Sequence, residues 1–258
     1  MQPKKKQIKA ILFDKDGTIF DYSRVWFSVL KNSVDIVFEK EGIGYKQHIK
    51  DLIMQLMGLD EHGNTLSEGA IFSHDKWTIL KNVTIFVWKA KMLPHTVARI
   101  SREIMKCNDQ NIGKKLESLN FKKQQELFKT LKDMGYIIGI VTVDRTASLD
   151  IFLYYMGIKQ YIDFTSTRDD HLPSKPNPKS FLEFCKKFNL KPEEVAFIGD
   201  TTIDMKYATR ANSSLKIGVE WGGYTKEELI DVSDIVYKTL FGIYDNERIF
   251  PKERSVKS

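Results

Sequence analysis

The chain has 258 residues, of which 42% are hydrophobic and 29% charged, a composition typical of a globular protein with a sizeable core. No apolar stretch approaches the roughly 18 residues that a membrane-spanning helix needs, so we expect no membrane partner. The net charge of +6 comes from lysines distributed along the sequence, which favours a solvated surface. No nucleic-acid-binding signature is present, so we expect no nucleic-acid partner.

The N-terminus and the cysteines bear on the location of the protein. The basic start, residues 1–6, is followed by only a short apolar run before Asp14, so we expect no secretory signal. Cys107 and Cys185 lie far apart and lack the spacing of a metal site. We therefore expect a reduced, cytoplasmic environment.

The first part of the chain predicts one strand followed by helices. Residues 8–13 form a short apolar run that predicts a buried strand. Apolar residues then recur at helical spacing, and no convincing strand pattern interrupts residues 22–107. We therefore predict a helical unit inserted after the first strand, with helices at Tyr22–Glu41, 49–57, Trp77–Met92 and Pro94–Cys107.

Helices alternate with short apolar strands in the rest of the chain. The predicted helices are Phe121–Met134, Thr146–Met156, Pro178–Phe188, Asp204–Ala211 and Lys226–Val232. The extended segments that alternate with them are Tyr136–Val141, Tyr161–Phe164, Val195–Ile198, Leu215–Val219 and Ile235–Val236. This alternation predicts an α/β fold, a doubly wound parallel sheet covered on both faces. In such sheets ligands bind at the carboxyl ends of the strands.

Two carboxylates follow the first predicted strand, in the segment Asp14-Lys15-Asp16-Gly17-Thr18. Side chains alternate in an extended segment, so we expect Asp14 and Asp16 to face one way and Lys15 the other. Two carboxylates on one face can divide labour, since one can attack an electrophile while the other transfers protons. An Asp-Gly turn after a strand is also common, so this segment alone leaves both interpretations open.

Further polar residues follow the next strands. Thr142 ends the second strand and can donate its hydroxyl to a phosphate oxygen, while Lys175 offers a cation for the same charge. Asp200 and Asp204 lie one helical turn apart after a later strand and suit a magnesium site that includes Asp14. A surface lysine and helix-capping carboxylates are the structural alternatives. Four groups of polar residues thus follow one another along the chain: the segment 14–18, Thr142, Lys175 and the segment 199–204. Their presence in this order favours magnesium-dependent phosphoryl transfer.

The four clusters resemble the motifs of the haloacid dehalogenase (HAD) superfamily. The matching parts are the segment 14–18, Thr142, Lys175 and the segment 199–204. The segment Val219–Tyr224 is similar to phosphoglycolate-phosphatase-like members, whose helical cap the insertion resembles. The resemblance implies a Rossmann-like HAD core formed by residues 1–21 and 108–258, with a smaller all-helical cap formed by residues 22–107.

The resemblance also implies a role for each acidic residue. Asp14 is expected to be the nucleophile that forms an aspartyl-phosphate. Asp16 is expected to protonate the leaving alcohol and then to activate water. Mg²⁺ is expected on Asp14, Asp200 and the backbone carbonyl of Asp16, while Asp204 supports the metal's waters or orients Lys175.

The phosphoryl oxygens are expected to contact Thr142, Val143 and Lys175. Many members of the superfamily carry Asn or Ser where this chain has Val143. If that position binds phosphate through its backbone N–H, the difference changes little; if it binds through its side chain, substrate affinity is altered. Arg145 is a further candidate for contact with substrate charge.

The resemblance implies a magnesium-dependent phosphatase that acts on a small phosphorylated metabolite, as a monomer or homodimer. A phosphomutase that uses the same intermediate is the alternative, although Asp-Gly-Thr resembles the hydrolases more closely. A dehalogenase is disfavoured because it needs neither a metal nor the second carboxylate, Asp16. A non-catalytic, basic nucleic-acid-binding protein is disfavoured because every catalytic position is filled.

Overall fold

The computed structural model describes residues 7–42, 47–64, 84–86, 89, 91, 93–245 and 248–251. The chain divides into two compact units. The first combines Met1–Asp21 with Asn120–Ser258, and the second is the continuous stretch Tyr22–Leu119. No helix among these residues is both long and apolar enough to cross a membrane.

The first unit is built on a six-stranded sheet in which every neighbouring pair of strands is parallel. The strands are β1 (Ala10–Phe13), β2 (Ile137–Val141), β3 (Phe164–Ser166), β4 (Val195–Gly199), β5 (Leu215–Val219) and β6 (Ile235–Tyr237). Their order in the sheet is β3-β2-β1-β4-β5-β6. The order reverses direction at β1, which confirms the predicted doubly wound α/β fold.

Helices cover the sheet on both faces. They are α4 (Lys122–Asp133), α5 (Thr146–Met156), α6 (Lys179–Lys187), α7 (Thr202–Arg210) and α8 (Lys226–Ile230). Successive side chains of β1 point to opposite faces. Leu12 belongs to the apolar cluster that includes Phe184 of α6, whereas Phe13 packs against Phe128 of α4, with ring centroids 5.1 Å apart. Both faces of the central strand are therefore buried.

The second unit is helical. Its helices are α1 (Tyr22–Lys40), α2 (Gln47–Leu56) and α3 (Pro94–Glu117). The apolar core of this unit includes Val34 and Phe38 of α1, Ile53 of α2 and Ile100 and Ile104 of α3. The predicted helix Trp77–Met92 lies mostly outside the described residues, although residues 84–86 and 89 are helical.

The last helix of the second unit is longer than predicted. The sequence predicts an end at Cys107, before a polar stretch, but α3 continues to Glu117. Ile112 and Leu116 extend the buried stripe of the helix at a spacing of four residues. The predicted boundary between residues 107 and 108 therefore falls inside a helix, and the unit extends to Leu119.

Gly139 in β2 offers a test of how closely α6 packs on the sheet. A Cβ at this position would lie 2.5 Å from Leu12 Cδ2 and 3.1 Å from the ring of Phe184. We expect Gly139→Ala to lower the free energy of unfolding by about 1–3 kcal/mol, because the core has no room for it. Gly218→Ala is the milder comparison, since its Cβ would lie 3.1 Å from Ser233 Oγ, and we expect it to cost less. Equal losses of stability in urea unfolding would contradict this explanation.

Candidate active site

The nucleophile candidate lies at the centre of the sheet. Asp14 directly follows β1, and its backbone N–H donates a hydrogen bond of 2.9 Å to the carbonyl of Ile198 in β4. The Asp14 side chain is buried, and its Oδ1 accepts from Lys175 Nζ at 2.5 Å. Because strands lie on both sides of β1, the Asp14 backbone has little freedom to move.

The N-terminus of α7 places a second carboxylate beside the same lysine. Asp204 forms a capping box with Thr201: Asp204 Oδ2 accepts from the Thr201 N–H at 3.1 Å and from Thr201 Oγ1 at 2.7 Å. Asp204 Oδ1 accepts from Lys175 Nζ at 2.6 Å. Asp204 therefore caps α7, as the structural alternative predicts, and also contacts Lys175.

Asp200 is held by a hydrogen bond from the turn that follows β1. Thr18 Oγ1 donates to Asp200 Oδ1 at 3.0 Å, and the Trp221 indole N–H donates to the carbonyl of Thr18 at 3.0 Å. Gly17 and Gly222 leave room for the carboxylate, since a Cβ at either position would overlap Asp200 Oδ2. The sequence predicts no role for Thr18 or Trp221, because contacts between residues so far apart in sequence leave no local pattern.

The three carboxylates form one buried acidic cluster. Oxygens of Asp14, Asp200 and Asp204 all lie within 4.8 Å of one another. Burial raises the pKa of Asp14 to about 7, against the lowering effect of Lys175. Burial also raises the pKa of Asp200, and the charges of Asp14 and Asp204 add to the effect. Burial lowers the pKa of Lys175, but these carboxylates more than offset it, so the net shift is upward.

The cluster fits a divalent cation. Three buried carboxylates face a single buried ammonium, so the site has an excess of negative charge. Burial is the main reason that the pKa values of Asp14 and Asp200 are raised, and the charges of neighbouring carboxylates raise both further. Oxygen ligands without sulfur or imidazole suit a hard cation such as Mg²⁺.

Asp16 is not a member of the three-carboxylate cluster. Its Oδ2 lies 2.8 Å from Lys15 Nζ, whereas Asp14 is paired with Lys175. The side chains of Asp14 and Asp16 therefore have different cationic partners. The strand ends at Phe13, so both aspartates lie beyond it.

The candidate phosphate-binding residues lie together at the end of β2. Thr142 is buried; its N–H donates to the Ser166 carbonyl at 2.9 Å and its Oγ1 accepts from the Asp144 N–H at 3.1 Å. Because the Thr142 oxygen accepts there, its hydroxyl hydrogen remains available as a donor. Thr142, Val143 and Lys175 line one small cleft.

The fold is a doubly wound α/β sheet, and the candidate residues Asp14, Thr142 and Asp200 lie at the carboxyl ends of its strands. The family model for haloacid dehalogenase-like hydrolases matches residues 8–212. The chain belongs to that family.

Known proteins of similar sequence and structure agree with this assignment. The chain is 22% identical to glyceraldehyde 3-phosphate phosphatase of Methanopyrus kandleri, covering 88% of this chain and 91% of that protein. It is 28% identical to phosphoglycolate phosphatase of Escherichia coli over 43% of this chain and 44% of that protein. A haloacid dehalogenase-like hydrolase of Bacteroides fragilis has the same fold, with a TM-score of 0.64, 24% identity and coverage of 92% and 100%. The protein is thus a hydrolase with phosphatase-named relatives.

Removal of Lys175 tests the electrostatics of the cluster. We expect Lys175→Met, in EDTA, to cost about 3–5 kcal/mol of unfolding free energy at neutral pH, because buried carboxylates lose their cation. The loss should be smaller at acidic pH. An aspartate with a raised pKa binds more protons in the folded state than in the unfolded chain, so its contribution to stability falls as pH rises from its ordinary pKa to the raised one. In the wild type that window runs from 3.8 to about 7 for Asp14; without Lys175 the pKa of Asp14 rises further, so its contribution to the loss grows as pH rises above about 7.

Lys132→Met is the matched control for this measurement. Lys132 pairs with Asp163 at 2.8 Å, but both side chains are 30% exposed and remote in sequence from the acidic cluster. We expect it to cost no more than about 1 kcal/mol. A loss for Lys175→Met that does not depend on pH, measured by urea unfolding, would contradict the proposed charge imbalance.

Proposed function

We propose that the protein is a Mg²⁺-dependent phosphatase that hydrolyses a small phosphorylated metabolite through an aspartyl-phosphate on Asp14. The observation that carries this proposal is the ammonium of Lys175 between Asp14 and Asp204, inside a buried cluster of three carboxylates. A cation next to Asp14 favours its ionised form, which is the form that can attack phosphorus.

Asp14 and Asp200 are proposed to hold the metal, together with the backbone carbonyl of Asp16. Both oxygens of Asp204 already accept hydrogen bonds, from Lys175 and Thr201, which supports a role for Asp204 in orienting Lys175. When bound, Mg²⁺ would neutralise charge on the carboxylates and on the phosphate.

The reaction then requires two displacements at phosphorus. Asp14 attacks the phosphorus and the bond to the leaving oxygen breaks, while Asp16 gives that oxygen a proton. Asp16 next takes a proton from water, whose oxygen displaces Asp14 and releases inorganic phosphate. Thr142 donates its hydroxyl to a phosphoryl oxygen, and Lys175 supplies positive charge to the same group.

The substrate class rests on the relatives. Those described above are named for glyceraldehyde 3-phosphate and phosphoglycolate, which supports a small phosphate monoester for this chain. A phosphomutase would return the phosphoryl group to the sugar, so assaying free phosphate separates the two reactions. The cytoplasmic location, the oligomeric state and the role of Val143 stay predictions. A screen of phosphorylated metabolites, ranked by kcat/KM, tests the proposal.

Chelation tests the requirement for the metal. We expect hydrolysis of an aryl phosphate to stop in EDTA and to return with Mg²⁺.

Thr18→Val should weaken Mg²⁺ binding by about 10- to 100-fold, because Asp200 loses the hydroxyl that orients it. Thr18→Ser keeps that hydroxyl and is the control. Full activity after exhaustive EDTA treatment would refute the metal assignment.

Replacement of the two motif carboxylates tests the two displacements. We expect Asp14→Asn to abolish turnover, because an amide cannot form the acyl phosphate. Asp16→Asn should slow the reaction by about 10²- to 10⁴-fold, the usual cost of losing general acid–base catalysis. Trapping with labelled substrate should show phosphate on the protein only when Asp14 is present. A labelled Asp14→Asn variant would refute the nucleophile assignment.

The helical unit is proposed to act as the substrate-selecting cap. Asp14, Lys175 and Asp200 all belong to the other unit, so the helical unit need not supply the chemistry. We expect replacement of residues 22–119 by a short Gly/Ser linker to reduce discrimination among substrates more than hydrolysis of a small aryl phosphate. Circular dichroism first establishes that the deletion variant folds. An unchanged ranking of substrates would place selectivity in the sheet unit.

A further inference from the structure

A second buried lysine lies beside the site, and no step proposed above uses it. Lys15 is only 1% exposed, which is rare for a residue whose ammonium is strongly hydrated. Its Nζ lies 2.8 Å from Asp16 Oδ2 and 2.8 Å from Asp144 Oδ2. The ammonium also lies 3.7 Å from the centroid of the Phe152 ring. The cation is therefore held between two carboxylates and an aromatic face.

Asp144, one of the two carboxylates that contact Lys15, is also held by other contacts. Asp144 accepts a hydrogen bond of 2.6 Å from Ser148 Oγ and one of 2.8 Å from the backbone N–H of Arg145. The backbone N–H of Asp144 in turn donates to Thr142 Oγ1 at 3.1 Å. Asp144 thus has partners of its own at the start of α5 and can serve as an anchor for Lys15.

Asp16, the other carboxylate that contacts Lys15, is the proposed proton donor. The backbone of the turn is held, since the carbonyl of Lys15 accepts from the N–H groups of Thr18 at 3.3 Å and Ile19 at 3.0 Å. The Asp16 side chain, however, follows the end of β1 and is 25% exposed. Burial alone does not fix its carboxylate, whereas an ion pair with a buried ammonium restricts it.

We infer that Lys15 is a positioning residue that, anchored by Asp144, orients the Asp16 carboxyl group, which gives its proton to the leaving group. The inference rests on the proposed function, in which Asp16 is the general acid. A general acid must lie within hydrogen-bonding reach of the oxygen that it protonates. The same network ends on Thr142, so it joins the proton donor to the proposed phosphate-binding hydroxyl.

The choice of leaving group separates positioning of Asp16 from a general structural role. An alkyl phosphate needs a proton on its leaving oxygen, whereas the p-nitrophenolate leaving group departs with little help. The measured quantity is kcat/KM, which covers the steps up to departure of the leaving group. We expect Lys15→Met to lower kcat/KM for ethyl phosphate by about 10- to 100-fold, the order expected for a misplaced catalytic group. The loss for p-nitrophenyl phosphate should stay within about threefold.

A double-mutant cycle supplies the second readout. If Lys15 acts through Asp16, Lys15→Met should change kcat/KM for ethyl phosphate by less than about twofold in an Asp16→Asn background. Lys132→Met, which removes a half-buried ion pair with Asp163 elsewhere in the same unit, is the control and should leave both substrates unaffected.

Each outcome has a distinct meaning. Equal losses for the two substrates, or losses that multiply in the cycle, would overturn the inference while leaving the proposed function intact. A wild-type protein that hydrolyses neither substrate would instead refute the proposed function. Circular dichroism checks folding, and Lys15→Gln, which keeps one hydrogen-bond donor, replaces Lys15→Met if that variant fails to fold. Failure of both to fold would assign Lys15 to folding and overturn the inference.

Discussion

Three buried carboxylates share one buried ammonium at the carboxyl ends of β1 and β4, and this unbalanced arrangement governs the site. Lys175 contacts Asp14 and Asp204 directly. Burial raises the pKa of Asp14 and of Asp200, and the charge of Asp204 adds to the effect. An arrangement of this kind costs folding free energy, and the proposed Mg²⁺ would offset part of that cost by neutralising the carboxylates.

Asp204 illustrates how one side chain can serve the fold and the site together. One of its oxygens completes the capping box with Thr201, and the other accepts from Lys175. Capping fixes the position of the carboxylate relative to the first turn of α7, and the carboxylate fixes the ammonium. A structural and a functional interpretation of such a residue therefore do not exclude each other, since rigid placement is what the chemistry needs.

The sequence predicts the parts of this protein that depend on local pattern. Apolar runs followed by Asp14, Thr142 and Asp200 mark strand ends, and in a parallel sheet those ends meet at one edge. The course of the chain just beyond the strands is less predictable. The partner of Asp16 depends on how a turn folds, and the contact between Trp221 and Thr18 joins distant parts of the sequence. The sequence predicts too early an end for the helix that continues to Glu117, because its last buried residues, Ile112 and Leu116, stand within a polar stretch.

The position of β1 in the sheet has a consequence for how the protein forms during synthesis. Ala10 pairs with Ile137 on one side and with Val195 on the other, so the first strand leaves the ribosome long before either neighbour exists. The helical unit, in contrast, is one continuous stretch, so all of it is synthesised before β2, β3 or β4. The indole that contacts Thr18 comes later still, beyond the region matched by the family. The edge of the sheet that carries Asp14 and Asp200 therefore cannot be complete until most of the chain has been synthesised.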